Sequence, residues 1–533
     1  MLKVIMIVIY IVIIGYLTYL GFRKTKNAND YLLGGRQIHP AVMALSYGAT
    51  FISTSAIVGF GGIAAQHGFS LLWLTFLNIF LGVFVAFIFF GKRTRRMGQN
   101  LNAQTFSEFI GERYQSGFIR RFSAAVITLF MPVYAAAVLI GVSAFIQRSF
   151  NIKYVTALII SAAFVAIYVF FGGLKGVMYA DAFQGTFMIA GMLVFIIAVY
   201  NQLGGISVAH EKLTLLSQLP DVQEQIKIIG LLPGFTGWTS TPEAFSPNWW
   251  VVFSSIVMGV GVGALAQPQL AVKYMTVKSG KQLNRAVPIG GIFILLTVGV
   301  VYVVGPLTNL YFYEKYGKIA QVFAGSSEEV IPAFINDFMP EWFVAVFMLV
   351  AISAGMSTLS SQFHTIGTAV SKDLFINKNR DEKRTMLITR IALIITIVVT
   401  ILLAYTLPKV WNGAIVISTG LFFGICAASF LPLYLGALYF RKITKKAAIS
   451  GMLAGFTTSM LWMLFVHTKE SAILMLCKLI FGVNSLAEGT ILVYVDPLVI
   501  SLTVSTIVTI LVGLFSKQDL DRKHIELCFQ GKE

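Results

Sequence analysis

The sequence predicts an all-α integral membrane protein of about 13 transmembrane helices, and three observations carry that expectation. Hydrophobic residues make up 57% of the 533 positions and charged residues 12%, against roughly 25% charged in soluble domains. Apolar windows of about twenty residues, the length that crosses a hydrocarbon core, recur along the whole chain. Two of these windows are interrupted at matched places, which points to inverted repeats that each open with a broken helix.

The windows fall near 3–22, 40–65, 69–91, 118–146, 154–171, 178–200, 249–271, 286–309, 342–370, 386–407, 411–439, 447–467 and 495–516, and are spans 1 to 13. Basic residues gather in alternate connections: Arg23 to Arg36, Lys92 to Arg96, Lys175, Lys273 to Arg285, Lys372 to Arg384, Arg441 to Lys446 and the tail from Lys517. Loops rich in Lys and Arg stay in the cytoplasm, so the N-terminus is expected outside and the C-terminus inside a plasma or inner membrane. The expected units are a first span and loop (1–38), a repeat of spans 2–6 (39–201) and an outer loop (202–248). A repeat of spans 7–11 (249–440), two further spans (441–516) and a tail (517–533) follow. The segment 471–483 is too short to cross and is expected at the outer interface, with a re-entrant piece as the alternative.

Several function classes are excluded by the same features. The formal charge of +17 sits in short loops between apolar segments, which argues for cytoplasmic loops and against nucleic acid. Cys426, Cys477 and Cys528 have no metal-ligand spacing and make no disulfide framework. No Walker A sequence occurs, so no nucleotide is expected to drive the protein, and no catalytic constellation marks it as an enzyme. Met1 to Phe22 reads as a retained span, because its basic cluster follows the apolar run.

The first interruption is GATFISTSAIVGFGG, Gly48 to Gly62, and the second is MGVGVGALAQP, Met258 to Pro268. A break at bilayer depth frees backbone carbonyls and amides, which is tolerated only where they line a cavity or lie buried in protein. The two lie five spans apart, an odd offset that reverses the direction of the chain and makes spans 2–6 and 7–11 inverted repeats. In span 9, Ala354, Ser357, Thr358 and Ser361 fall at i, i+3, i+4 and i+7, one stripe of a helix. Small residues with hydroxyls there fit either close packing against another helix or oxygen coordination of a hard cation such as Na⁺.

Ionisable residues inside the membrane are few. Asp181 stands at the expected start of span 6, where it serves either a cation site or exit path, or the helix macrodipole. No Lys or Arg is expected mid-span near the breaks, so a solute carboxylate would be met by freed amides at half-helix ends or by bound Na⁺.

The stretches DYLLGGR (30–36), FGGLKGVMYADAFQG (171–185) and AISAGMSTLSSQ (351–362) resemble the signatures of the sodium:solute symporter family, nearest its proline and pantothenate branch. That resemblance covers nearly the whole chain. It implies a LeuT-type 5+5 inverted-repeat core with one extra span before it and two after, and Na⁺-coupled import of a small carboxylate or amino-acid-like solute by alternating access. A proton-coupled or sugar-type carrier of the same fold, or a non-transporting solute sensor, is the alternative, although the short tail from Lys517 gives a sensor no signalling domain. The implied Na⁺ ligands are the carbonyls of Ala49, Ile52 and Ala354 and the hydroxyls of Ser357 and Thr358. Asp181 and Ser361, with Thr358, would serve a second Na⁺ or the exit path. Candidate solute contacts are Ser53, Thr54, Asn78, Tyr134, Gly261, Gln267 and Ser418. Where proline carriers have a Trp and a Tyr in span 7, this chain has Val260 and Ala264, which implies a less aromatic pocket. The expected partners are thus the solute, Na⁺ and the lipid bilayer, with the protein acting as a monomer.

Overall fold

A computed structural model of the protein describes residues 2–23, 33–374, 382–411 and 413–531, and the side chains of 2–4, 21–22, 34, 167–175 and 382–386 are outside that description. Part of the 30–36 motif and part of the 171–185 motif therefore lie outside the described residues. Among the described residues the regular structure is helical, and an isolated bridge pairs Ile38 with Val277. Ten stretches are long and apolar enough to cross a membrane, with shorter apolar helices at Ile5–Leu20 and Tyr154–Ala166. Of the thirteen expected windows, 3–22 and 154–171 correspond to these two shorter helices, whose neighbouring residues are not fully described. Windows 154–171 and 178–200 lie on one continuous helix, Tyr154–Gln202, and 40–65 and 69–91 are divided differently because span 2 is broken. Ser55–Asn100, for example, is one stretch that turns back at Gly68, whose φ of 71° places it in the left-handed region.

Both interruptions are real breaks. Span 2 begins as Pro40–Phe51, capped by His39, and stops at Ile52, whose φ of −91° and ψ of 94° leave the helical region. The Ser53 carbonyl then accepts the amides of Ala56 and Ile57 at 3.0 and 3.2 Å, and the helix resumes through a π-turn, Ser55–Gly59, into Phe60–His67. Span 7 runs from Pro247 through Gly259–Gly263 and a 3₁₀ turn, Ala264–Ala266, to Gln267, which is extended at φ −74° and ψ 116°. Pro268 follows, and the steric demand of its ring bars the preceding residue from the helical region. The second half-helix, Pro268–Tyr274, starts on that proline.

Span 9, Glu341–Thr368, is the centre of the molecule. In its most apolar window 94% of residues are buried by protein, against 22% for Pro497–Phe515 at the periphery. Its small residues let neighbours approach: a Cβ at Gly355 would lie 2.2 Å from Val142 Cγ2 of span 4. Span 1, Leu2–Arg23, packs on the same core through Tyr10, whose hydroxyl meets Ser353 Oγ at 2.7 Å and accepts from Gln184 Nε2 at 2.9 Å. The segment near 471–483 forms two short helices, Thr468–Leu474 and Leu476–Phe481, joined at Met475 with φ 56°. Neither is long enough to cross a bilayer.

Candidate functional site

The break at Ile52 leaves the last carbonyls of Pro40–Phe51 without the amides that a continuing helix would bring. Span 9 brings hydroxyls instead. Ser357 Oγ donates to the Ala49 carbonyl at 2.8 Å, and Thr358 Oγ1 lies 3.4 Å from that oxygen and 3.0 Å from the Thr50 carbonyl. Both hydroxyls also reach the Ala354 carbonyl, at 3.3 and 3.0 Å. Ala49, Ala354, Ser357 and Thr358 are fully buried, as expected for a stripe turned toward protein. Ile52 is buried beside them, and its extended ψ takes its carbonyl out of the helical ladder. Carbonyl and hydroxyl oxygens alone make up this cluster, a donor set that suits a hard monovalent cation and offers a soft metal nothing.

A second cluster lies on the same half-helix, at Ser46 and Thr50, and it corrects two expectations. Lys273 does not begin a solvated basic loop, because the second half of span 7 stays helical through Tyr274 and carries the side chain into the protein. Its Nζ donates to the Ser46 carbonyl at 2.8 Å, Ser46 Oγ at 2.7 Å, Asp181 Oδ2 at 3.1 Å and Thr50 Oγ1. Asp181 is not a helix-terminal charge, since the helix Tyr154–Gln202 runs through it. Lys273 is 1% exposed and Asp181 0%, so the pair is a buried ion pair. A lysine therefore does sit beside the first break, contrary to the expectation of none. Thr50 Oγ1 joins the two clusters: it meets Ser361 Oγ at 3.0 Å, donates to the Ser357 carbonyl at 3.3 Å, and lies 3.5 Å from Asp181 Oδ2. The signal in the sequence was a single lysine inside PQLAVKYM, an otherwise uncharged run straight after the break. Ser46 and Thr50, at i and i+4, are the matching polar face.

The candidate solute residues divide. Ser53 Oγ meets Ser55 Oγ at 2.5 Å, and Tyr134 lies beside the pair. Tyr134 packs edge-on against Phe423 with ring centroids 5.2 Å apart. Phe423 in turn covers Gly263, where a Cβ would lie 2.7 Å from Phe423 Cβ, and the Gly263 carbonyl accepts from Gln267 Nε2 at 3.3 Å. A chain of contacts thus links the first break to the second. Asn78 Oδ1 and Ser418 Oγ are buried with no hydrogen-bond partner among the described residues, the condition of polar atoms that a ligand would satisfy. Gly261 is packed under Leu77, 2.8 Å from where a Cβ would stand, so it shapes the wall through its missing side chain. The Thr54 hydroxyl donates to the Val138 carbonyl at 2.6 Å, a tie to span 4.

The model of the family described as "Sodium:solute symporter family" matches residues 31–455. The chain is similar to the osmoregulated proline transporter OpuE of Bacillus subtilis (strain 168), 26% identical over 502 residues and covering 93% of each chain. It is also similar to the sodium/proline symporter of Escherichia coli (strain K12), 27% identical over 453 residues, covering 84% of this chain and 85% of the relative. In three dimensions it shares the fold of a Na⁺-coupled sialic acid symporter solved in a substrate-bound outward-open state. That match has a TM-score of 0.75 at 17% identity, over 97% of this chain and 99% of the other. Because the family match begins ahead of the first break and runs past span 11, the chain belongs to the sodium:solute symporter family, as a multi-pass protein of the cell membrane that couples Na⁺ to the movement of a solute.

Proposed function

We propose that this chain imports a small amino-acid-like or carboxylate solute, with Na⁺ held between spans 2 and 9 by the carbonyls of Ala49, Ile52 and Ala354 and the hydroxyls of Ser357 and Thr358. The observation that carries the reading is the placement of two span 9 hydroxyls on carbonyls that the span 2 break has freed. Without a cation these hydroxyls satisfy the carbonyls themselves. When Na⁺ arrives, the protons rotate away and the oxygens turn to the ion, so binding ties the two elements together through the cargo. A pocket shaped in that way favours solute binding at the breaks, and rocking of one repeat against the other then exposes both cargoes to the opposite side.

The solute lies between the two breaks, against Ser53, Tyr134, Gln267, Asn78 and Ser418. Relatives named as proline transporters support an amino-acid-like solute. Val260 and Ala264, small and buried on span 7, give it a less aromatic wall than the family resemblance associates with proline carriers. Lys273 does not serve the solute carboxylate, because its ammonium is engaged by Ser46, Thr50 and Asp181. Amides at the half-helix end and the bound Na⁺ are left for that role. The basic loops face the cytoplasm, with the N-terminus outside and the C-terminus inside. Each chain carries both breaks and works as a monomer.

One Na⁺ crossing ~100 mV supplies about 2.3 kcal/mol, and a roughly tenfold concentration gradient adds about 1.4. A neutral or zwitterionic solute is thus concentrated several hundredfold. The test is uptake into proteoliposomes under an imposed Na⁺ or H⁺ gradient, against a panel of amino acids, small carboxylates and sugars. Uptake that follows the Na⁺ gradient for an amino-acid-like compound or a small carboxylate is expected. Accumulation driven by H⁺ alone, or of sugars alone, would replace this reading.

A further inference from the structure

We infer that the tail is a latch: the helix Arg522–Cys528 and Phe529 dock across the connection between spans 3 and 4 and the end of span 11, hold the cytoplasmic side shut, and must let go each time that side opens. The inference rests on the alternating-access reading and the orientation above, and adds a regulatory part supplied by the chain itself. Its basis is where the contacts of the tail fall. Asn100 ends the helix Lys92–Asn100, which prolongs span 3, and its Nδ2 donates to the carbonyls of Leu527 and Gln530, both at 3.0 Å. A side chain of one membrane span thus caps the end of the tail helix. Arg96 Nη1 donates to the Gly531 carbonyl at 3.1 Å, and His524 Nε2 to the Glu112 carbonyl at 2.8 Å. Cys528 and Ile525 are buried on the docked side of this helix.

Phe529 joins the two repeats. Its ring faces two guanidiniums, those of Arg113 and Arg441, each 5.2 Å from the ring centroid. Arg113 closes the helix Phe106–Arg113 ahead of span 4 and is 0% exposed. Its Nε and Nη2 donate to the carbonyls of Ala437 and Phe440 at the end of span 11, both at 3.1 Å. The helix Lys92–Asn100 also braces the second half of broken span 7: a Cβ at Gly98 would lie 2.6 Å from Met275 Sδ, and Arg95 Nε donates to the Val277 carbonyl at 2.8 Å. Opening a path to the cytoplasm shifts that half-helix against its supports. While Asn100 and Arg96 grip a tail that is itself held at Glu112, Arg113 and Arg441, the brace is tied to spans 4 and 11 and cannot follow. Rocking of one repeat against the other therefore breaks the contacts of the tail first.

The experiment measures initial rates of Na⁺-driven uptake by the full-length protein in proteoliposomes, with the compound of the amino-acid and carboxylate panel that the wild type accumulates. Phe529→Ala and Asn100→Ala each loosen the latch. Both should raise the maximum rate and the half-saturating external Na⁺ concentration by about two- to fivefold, the factor that one guanidinium–ring contact contributes to an equilibrium. A tail that only supports the fold would lower the rate or leave both quantities unchanged, and either result overturns the inference. In the opposite direction, Asn100→Cys with Gln530→Cys, in a Cys528→Ser background, is joined by a short bis-methanethiosulfonate. The joined protein should lose uptake and regain it on reduction with dithiothreitol. Continued uptake after joining would show that the tail need not undock, and a pair that cannot be joined would show that it does not dock; both overturn the latch. Absence of Na⁺-driven uptake in the wild type would sink the transport reading itself and the latch with it, an outcome distinct from unchanged rates in the variants.

Discussion

Ser357 Oγ donates to the Ala49 carbonyl across 2.8 Å, although the two residues are 308 positions apart in the chain. The bond exists because span 2 stops within a turn of Ala49 and leaves that oxygen without an amide. A side chain from span 9 takes the place that the missing turn would have filled. On the proposed assignment this same oxygen is also a ligand of Na⁺.

Removing these hydroxyls should therefore act on Na⁺ more than on the fold. In the Ser357→Ala variant the apparent Na⁺ affinity is expected to fall by about tenfold, the equivalent of roughly 1.4 kcal/mol for one lost oxygen contact. Ser357→Ala combined with Thr358→Ala should abolish Na⁺-dependent uptake while the protein still reaches the membrane. Na⁺ titration of uptake in proteoliposomes checks both, and an unchanged half-saturating Na⁺ concentration in the double variant would end the assignment.

The Lys273–Asp181 pair bears on stability. Truncating Lys273 to Met leaves a buried carboxylate alone, which in other buried pairs costs about 3–5 kcal/mol. Removing both charges, as Lys273→Met with Asp181→Asn, should recover most of that loss. Thermal unfolding in detergent compares the three proteins. A double variant no more stable than the single one would show that the pair acts through its packing and not its charge.

How far these features were legible in the sequence follows from what each one depends on. Both breaks were readable because Pro268 forbids helix at Gln267 and because Gly, Ser and Thr crowd the residues around Ile52. The span 9 stripe was readable because helical spacing alone puts Ala354, Ser357, Thr358 and Ser361 on one face. Lys273 was not. Its sequence neighbours Lys278, Lys281 and Arg285 suggest a loop, and charge counting assigns a lysine by the company it keeps along the chain. What decides its place is one further stretch of helix after Gln267 and a matching carboxylate 92 positions earlier, and that pairing is tertiary. The bond from the Thr54 hydroxyl to the Val138 carbonyl of span 4 is tertiary in the same sense, since nothing in the sequence around either residue announces it.

Close approaches between helices separate the glycines by role. A Cβ at Gly62 would stand 1.8 Å from the Ser327 carbonyl, where backbone meets backbone and no side chain can yield. Gly62→Ala is expected to prevent accumulation of folded protein. At Gly420, within the helix Ala414–Tyr439, a Cβ would meet nothing within 4 Å. Gly420→Ala should be tolerated, or stabilise by about 0.5–1 kcal/mol through reduced chain entropy. Fluorescence-detected size-exclusion profiles of the two variants test the contrast, and equal profiles would contradict the close approach at Gly62.

Between spans 8 and 9, Asp337 stands in the last turn of the connecting helix Ser327–Phe338 and gathers polar groups from the end of the preceding helix, Val300–Tyr316. Its Oδ2 accepts from Lys315 Nζ and from the Tyr311 hydroxyl, both at 3.0 Å, and the Tyr316 hydroxyl reaches Oδ1 at 3.0 Å. Partial burial pushes the carboxyl up, but the hydrogen bonds from Lys315, Tyr316 and Tyr311 together outweigh it and hold the group below the ordinary carboxylate value. The folded carboxyl therefore gives up its proton at a lower pH than the unfolded one. Its contribution to stability is full above the unfolded value of about 3.9 and is lost as pH falls through the lower folded value. Lys315 is 44% exposed and Asp337 27%, so the ion pair itself is worth only about 0.2–1 kcal/mol and weakens with added salt. Asp337→Asn keeps an oxygen for the tyrosine hydroxyls and removes the titration. The variant should melt slightly below wild type at neutral pH and show a flatter fall of melting temperature below about pH 4, both measured in the same detergent. An acid slope unchanged by the substitution would assign the sensitivity to other carboxylates and leave Asp337 as a neutral tether between the two helices.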